Sequence, residues 1–254
     1  MKTKISLSHI NALLFSVFIL VIVNLSFAMV PQKGKMTESM MKTFIEYRLI
    51  QSKILVNDNI SVPVANGVIT LDGTVSTLRD KQQAEKEVRK VVQEYKIINN
   101  LSIPKSNLSD ADFAQKVTEQ LRKHIFYSIF DWVTVSVTNG VVTLNGWTHL
   151  PWGDVQFVQE VEKVPGVQSV KNEIQHELGS DEIRYTAARL IYNDMRFEHY
   201  AYDQDPPIHI IVNGPKVMLL GTVLSDSDKS WAEYLLLFSP AIFSVENDLM
   251  VRNK

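Results

Sequence analysis

Hydrophobic and polar residues alternate with period two from Val133 to Thr138, and again after Asn139-Gly140 as far as Gly146. Asn-Gly takes the two positive φ angles of a type I′ turn, so VSVTNGVVTLNG (135–146) reads as a hairpin. Its expected facing pairs are Val137 with Val142, Val135 with Leu144, and Val133 with Gly146. Gly146 then stands where the apolar side calls for a side chain, which implies a second backbone passing close by. The same pattern occurs at 62–73, VPVANGVITLDG, with Asn66-Gly67 at the turn and Gly73 in the place of Gly146. A looser copy at 208–221 has Asn213-Gly214, an inserted Pro215 and Gly221. Three occurrences at near-constant spacing make an internal repeat.

Helical periodicity flanks each hairpin. In the first copy Met40, Phe44, Tyr47 and Ile50 or Leu49 form one stripe. After that hairpin, Ala84, Val88, Val91 and Val92 form another, with Ser76 as its expected N-cap. In the second copy Phe113, Val117, Leu121 and His124 or Ile125 lie on a stripe capped by Ser109 or Asp110, and a helix from Gly153 is stopped by Pro165-Gly166. The third copy offers helices from Asp181 and Asp226. Each copy closes with a strand carrying an asparagine on its apolar parity: Asn99, Asn172 and Asn247. A buried amide is costly unless bonded, so each is expected to satisfy backbone groups within its own copy. The expectation is an α+β chain of three tandem αββαβ modules, at 38–104, 109–178 and 180–252, each a three-stranded mixed sheet covered by two helices. Pro63 inside a strand places the first hairpin strand at a sheet edge.

Residues 1–28 differ. Lys2 and Lys4 precede an apolar run from Ala12 to Ala28 that ends in Ser26-Phe27-Ala28, the layout of a secretory signal, with an uncleaved membrane anchor as the alternative. Residues 29–37 read as a linker. The chain has 254 residues, no cysteine and a net charge of −2. It therefore has no disulfide, thiolate metal site or lipid-modified N-terminal Cys. A mildly acidic chain offers no electrostatic case for nucleic acid as partner.

The helix–hairpin–helix–strand order, the Asn-Gly-Val-x-x-Leu-x-Gly core and the closing Gly-Val-x-x-Val-x-Asn-x-Ile resemble the BON domain of bacterial envelope proteins. Module two carries the resemblance through Val135, Val137, Asn139, Gly140, Val141, Leu144, Gly146, Gly166, Val167, Val170, Asn172 and Ile174. Module one has Gln93 to Tyr95 in place of the Gly-Val turn, and module three is divergent. The resemblance implies placement in the periplasm, with inner-membrane anchoring if the signal is retained. It also implies a non-enzymatic role in binding membrane phospholipid and supporting envelope integrity under stress. A scaffold or chaperone-like protein that contacts envelope proteins through Tyr200, Tyr202 and Trp231 is the alternative.

Two surfaces suit a lipid or partner. Module two concentrates Phe126, Tyr127, Phe130, Trp132, Trp147, Leu150, Pro151 and Trp152, and Trp and Tyr suit the headgroup zone. Of these, Tyr127, Trp147, Leu150 and Trp152 are the candidates, while Phe126, Phe130 and Trp132 read as packing between modules. The second surface is Lys86, Arg89 and Lys90 of module one, with glutamates interleaved. No nucleotide, hydrolase or zinc spacing occurs, and neither metal nor cofactor is expected; His149, Asp154 and Glu160 would be the only metal candidates.

Overall fold

The computed structural model describes residues 36–52, 59–92, 94–203 and 206–252. The expected signal region and most of the linker lie outside the described residues. Within them, the helices are α1 (Glu38–Gln51), α2 (Leu78–Val91), α3 (Asp110–Arg122), α4 (Gly153–Val161), α5 (Asp181–Tyr192) and α6 (Asp226–Leu237), with a 3₁₀ turn at Glu198–Tyr202. The strands are β1 (Asn59–Ser61), β2 (Val64–Ala65), β3 (Val68–Thr74), β4 (Lys96–Asn99), β5 (Trp132–Thr138), β6 (Val141–Thr148), β7 (Ser169–His176), β8 (Ile208–Asn213), β9 (Lys216–Val223) and β10 (Ser244–Val251). No helix among the described residues is long and apolar enough to cross a membrane.

The fold is α+β, as expected, with three mixed sheets built alike. The second hairpin strand is central (β3, β6, β9), the first pairs with it antiparallel, and the strand after the second helix pairs parallel on its other side. The first sheet's edge strand is interrupted. β1 and β2 pair with β3 in one continuous register, Ile60 facing Gly73 and Val64 facing Ile69, and the break falls at Val62-Pro63. Pro63 has no N–H to give, but its carbonyl accepts from the Thr70 N–H at 3.0 Å.

Turn chemistry separates the copies. Asn66 and Gly67 have φ of 51° and 75°, and Asn139 and Gly140 have 53° and 83°, the double positive φ of a type I′ turn. In the third sheet Asn213 is the last strand residue, facing Lys216, and the turn falls on Gly214-Pro215. Gly214 alone has positive φ, 61°, the pattern of a type II′ turn with proline in the second place. The apparent insertion thus leaves the register intact: Ile208 faces Gly221 as Val133 faces Gly146.

The asparagines fasten the third strand to the second helix. Asn99 donates to the Lys81 carbonyl at 3.0 Å and to the Glu85 carboxylate at 3.2 Å, while its own oxygen accepts from the Leu101 N–H. Asn247 repeats this with Lys229 at 2.8 Å, Glu233 at 3.2 Å and the Leu249 N–H. In the second sheet Val158 stands where those glutamates stand, and Asn172 instead donates to the Asp154 carboxylate at 2.9 Å while accepting from the Ile174 N–H. Each asparagine thus satisfies backbone groups within its own copy, as expected, and reaches from strand to helix; Asn172 departs from the expected burial, being exposed and meeting a helix side chain in place of a carbonyl.

Other caps and stripes follow local chemistry. Thr77, not Ser76, caps α2 by accepting from the Asp80 N–H, while Ser109 caps α3. Phe113, Val117 and Leu121 of α3 and Phe157 and Val161 of α4 meet Val142 and Leu144 in one core, each large side chain contributing roughly 1.5–3 kcal/mol on burial. α3 stops at Arg122, so Ile125 falls off its stripe and is exposed. In α1 the buried positions are Met41, Ile45 and Leu49; Met40, Phe44 and Tyr47, expected inside, are exposed, and of the alternatives Ile50 and Leu49 it is Leu49 that is buried.

The close approach at Gly146 is real. Its φ is +139°, and a Cβ there would lie 1.9 Å from the Trp132 carbonyl oxygen; Gly221, at +116°, would meet the Pro207 oxygen at 2.0 Å. Gly67, at +75°, has open space around it. Gly146→Ala should therefore destabilise the chain by about 3 kcal/mol or more, through backbone displacement as well as strain, and Gly67→Ala by about 1 kcal/mol. Thermal unfolding of the two variants measures the contrast.

Candidate functional site

The surfaces between sheets decide which side chains stay available. At the first junction the N-terminal turn of α2 abuts the C-terminal end of α4. The Arg79 N–H donates to the Glu162 carbonyl at 3.0 Å, the Gln82 amide donates to the Glu162 carboxylate at 2.7 Å, and Leu78 packs on the second core. An orphan helix donor meets an orphan helix acceptor, so the two helix dipoles lie head to tail. Gln168 adds a bond to the Ile103 carbonyl at 3.1 Å.

The second junction is built differently. The Ile210 N–H of β8 donates to the Ile129 carbonyl at 2.7 Å, and the Val212 N–H donates to the Glu177 carboxylate at 3.1 Å. Glu177 also accepts from Arg184 Nε and Nη2 at 3.1 and 2.8 Å, and both side chains are buried. Burial pushes the Glu177 carboxyl above its ordinary value, against the pull of the Arg184 and Val212 donors. Phe130 lies edge-on to Tyr185 at 5.7 Å, and Trp132 edge-on to His209 at 5.0 Å. Both β8 faces are thereby buried, which accounts for Ile208 to Val212 being apolar on both parities save His209.

The aromatic candidates of the second sheet separate. Tyr127 packs on Phe157 at 5.6 Å and accepts from the Val133 N–H, so it belongs to the core and not to an open surface. Trp147 faces Trp132 across the hairpin, on the side of the sheet away from α3 and α4. Trp152 is the N-cap position of α4, where it makes no side-chain cap, and its ring meets Phe126 edge-on at 4.8 Å. Trp147 and Trp152 therefore do not form one patch. Leu150 is half-buried, its carbonyl accepting from the Gly153 N–H. Phe126, expected to pack between modules, is instead exposed beside Ile125 and Trp152. Phe130 and Trp132 do lie between the sheets.

The basic face of α2 is largely neutralised at close range. Arg89 donates to Glu85 at 2.7 Å and Lys90 to Glu87 at 2.5 Å, while Lys86 is exposed. Glu87 is buried and also receives Arg48 of α1 at 2.7 Å. His149 and His176 are likewise engaged. His149 Nδ1 lies 3.1 Å from Asp131, a buried carboxylate that also accepts from Ser128 and Thr148, and His176 lies 3.4 Å from Asp154. Glu160 pairs with Lys163 and Gln120, so His149, Asp154 and Glu160 do not converge. Among the described residues no group of three or more His, Asp or Glu is placed to hold a metal ion.

Large apolar side chains also stand open, among them Phe44, Tyr47 and Ile50 on α1; Ile125, Phe126, Trp152 and Val155 on the second sheet's unit; and Tyr202, Tyr234, Leu237, Phe238 and Phe243 on the third. The α1 face was not anticipated, because a stripe of Met40, Phe44 and Tyr47 reads as core when Ile45 and Leu49 are taken as its flank. A cleft of about 610 Å³ also opens between Ile129 and α5, lined by Tyr185, Ala188, Arg189 and Tyr192.

The family model described as BON domain matches residues 45–105 and 109–177. The chain belongs to the BON domain family. The third sheet, expected as a third BON copy, is not matched by that model, although it shares the strand order and the asparagine clamp of the other two. The BON family places the chain with envelope-associated proteins. No curated protein matches it. Among solved structures, the C-terminal domain of CdsD, a structural protein of the type III secretion system of Chlamydia trachomatis, aligns over 86% of this chain and 100% of that one, at 13% identity and a TM-score of 0.26. A second structure of CdsD aligns over 83% and 92%, at 14% identity and 0.25. At such scores the likeness carries no argument about function.

The ion pairs of the first BON unit have a pH signature. The bond from Lys90, then that from Arg48, holds the Glu87 carboxyl below its ordinary value despite burial. A carboxyl with a depressed folded pKa stabilises fully above its unfolded value of 4.5 and loses that contribution as pH falls through the folded value. The parent should accordingly be more stable than Glu87→Gln at neutral pH, and the difference should close as pH falls below about 4.5. Urea unfolding of both chains across that range reads it.

Proposed function

We propose that this is a non-enzymatic protein of the bacterial cell envelope, exported to the periplasm, that binds membrane phospholipid and supports envelope integrity under stress. The observation that carries the reading is the two-sided apolar character of α1. Ile45 and Leu49 fill the core of the first BON unit, while Phe44, Tyr47 and Ile50 on other sides of the same helix are each about half exposed. A helix apolar toward both core and solvent calls for a second apolar neighbour. Tyr47 suits the headgroup zone, where a ring is partly dry and its hydroxyl wet. The first unit is also the one module in which basic residues outnumber acidic ones, which favours anionic headgroups. The engagement of His149 and His176 in bonds to buried or half-buried carboxylates supports a role in structure over one in catalysis.

The chain lacking residues 1–28 should pellet with phosphatidylglycerol vesicles. Phe44→Ser combined with Ile50→Ser should reduce the bound fraction severalfold without changing the far-UV circular dichroism. Equal pelleting of parent and variant removes α1 as the contact. Pelleting of neither removes the lipid reading.

A further inference from the structure

The asparagine clamp supplies a fixed ruler for comparing the three units, and the comparison exposes two surfaces that match each other. Asn99, Asn172 and Asn247 each lie 18 residues beyond their helix partners Lys81, Asp154 and Lys229. Counted from those partners, Arg79 and Gln82 of α2 correspond to Trp152 and Val155 of α4, and Glu162 at the end of α4 corresponds to Leu237 at the end of α6. Arg79, Gln82 and Glu162 are the residues that join the first unit to the second.

One repeat further on, the same joint would set Trp152 and Val155 against Leu237 and its neighbour Phe238. Where the helix-end contact of the first joint is made by Arg79, Gln82 and Glu162, with Leu78 beside them, the corresponding positions here are apolar on both sides. The two surfaces have changed in the same direction although they lie far apart in the chain. Within one chain, however, the second and third units are held through Ile129, Phe130 and Glu177 instead, and both apolar surfaces face solvent. Trp152 and Val155 are 42% and 48% exposed, and Leu237 and Phe238 are 54% and 64%.

We infer that two copies of this chain associate head to tail, the Trp152–Val155 end of α4 in one copy docking on the Leu237–Phe238 end of α6 in the other by repeating the joint seen between the first two units. The helix ends support the same pairing. Trp152 provides no side-chain cap for α4, and the last turn of α6 carries no basic residue. Abutting them would bring the first turn of α4, which has no side-chain cap, against the C-terminal carbonyls of α6 and align the dipoles, in the manner of the first joint, where Arg79 meets Glu162 from one turn inside α2.

The contact is heterologous, so each copy keeps one free α4 end and one free α6 end, and association continues as an open series or closes as a ring. Few side chains take part, while the entropic cost of association is large. The affinity is consequently low and the assembly depends on concentration, which attachment to a common membrane would raise. This association does not rest on lipid binding and is tested without vesicles.

The chain contains no cysteine, so two full-length chains bearing Val155→Cys and Leu237→Cys, mixed in mild detergent under gentle oxidation, report one geometry only. A cross-linked pair that mass spectrometry maps to positions 155 and 237, more abundant than either like-with-like dimer, is expected. Disulfides only between like positions, or none, would overturn the inference. Sedimentation of the unsubstituted full chain should show mass rising with concentration. Leu237→Glu should weaken that association by about tenfold or more, since a charge would enter an apolar contact, and Val155→Lys in the same chain should restore it. A chain that stays monomeric at every concentration sinks the idea by itself.

Discussion

The amide clamp between each parallel strand and the helix that precedes it is the constraint on which the architecture turns. Both helices of a unit lie on one face of its sheet, and the clamp ties the first turns of the second helix to the strand that follows it, at the end of β4 and in the middle of β7 and β10. Every other feature of the units inherits this placement: which helix end reaches the neighbouring unit, which apolar side chains are covered and which are left in solvent. A single amide bond is worth only on the order of 1 kcal/mol net. Its importance lies in geometry, since the amide and its partners can be satisfied together in one helix position alone.

The two junctions show how similar units are joined by unlike means. Between the first and second, helix end meets helix end, and a glutamate side chain closes the gap. Between the second and third, a strand edge is sealed by a loop carbonyl and a buried carboxylate, with Arg184 beside it. The first is a contact between helix ends and the second a cap on a strand edge, so they rest on different physics.

Much of the fold was legible in the chain because period-two alternation and an Asn-Gly turn leave little freedom of register. The facing pairs of the second hairpin and the crowding at Gly146 both came from that pattern. Three things were not legible. The turn of the third hairpin slid by one residue, because Gly-Pro satisfies the backbone as well as Asn-Gly does but with a different sign of φ at its second place. The buried side of α1 was misassigned, because a helix apolar on two sides gives no unique phase to its periodicity. The candidate site suffered most. Trp147 and Trp152 are close in sequence, yet a strand end and a helix start point them to opposite sides of the sheet. Tyr127 was absorbed by packing on Phe157, a neighbour distant in the chain.

The burial of β8 on both faces and along its outer edge has a bearing on how the polypeptide is assembled. Its amides at Ile210 and Val212 are satisfied by residues that come earlier in the chain. A nascent molecule appearing amino end first always has that seal available before the strand arrives. A fragment beginning after Glu177 would be born with a bare, strongly apolar strand edge, which is a template for sticking to its like. The carboxy-terminal unit thus takes the seal on its outer strand edge from its predecessor.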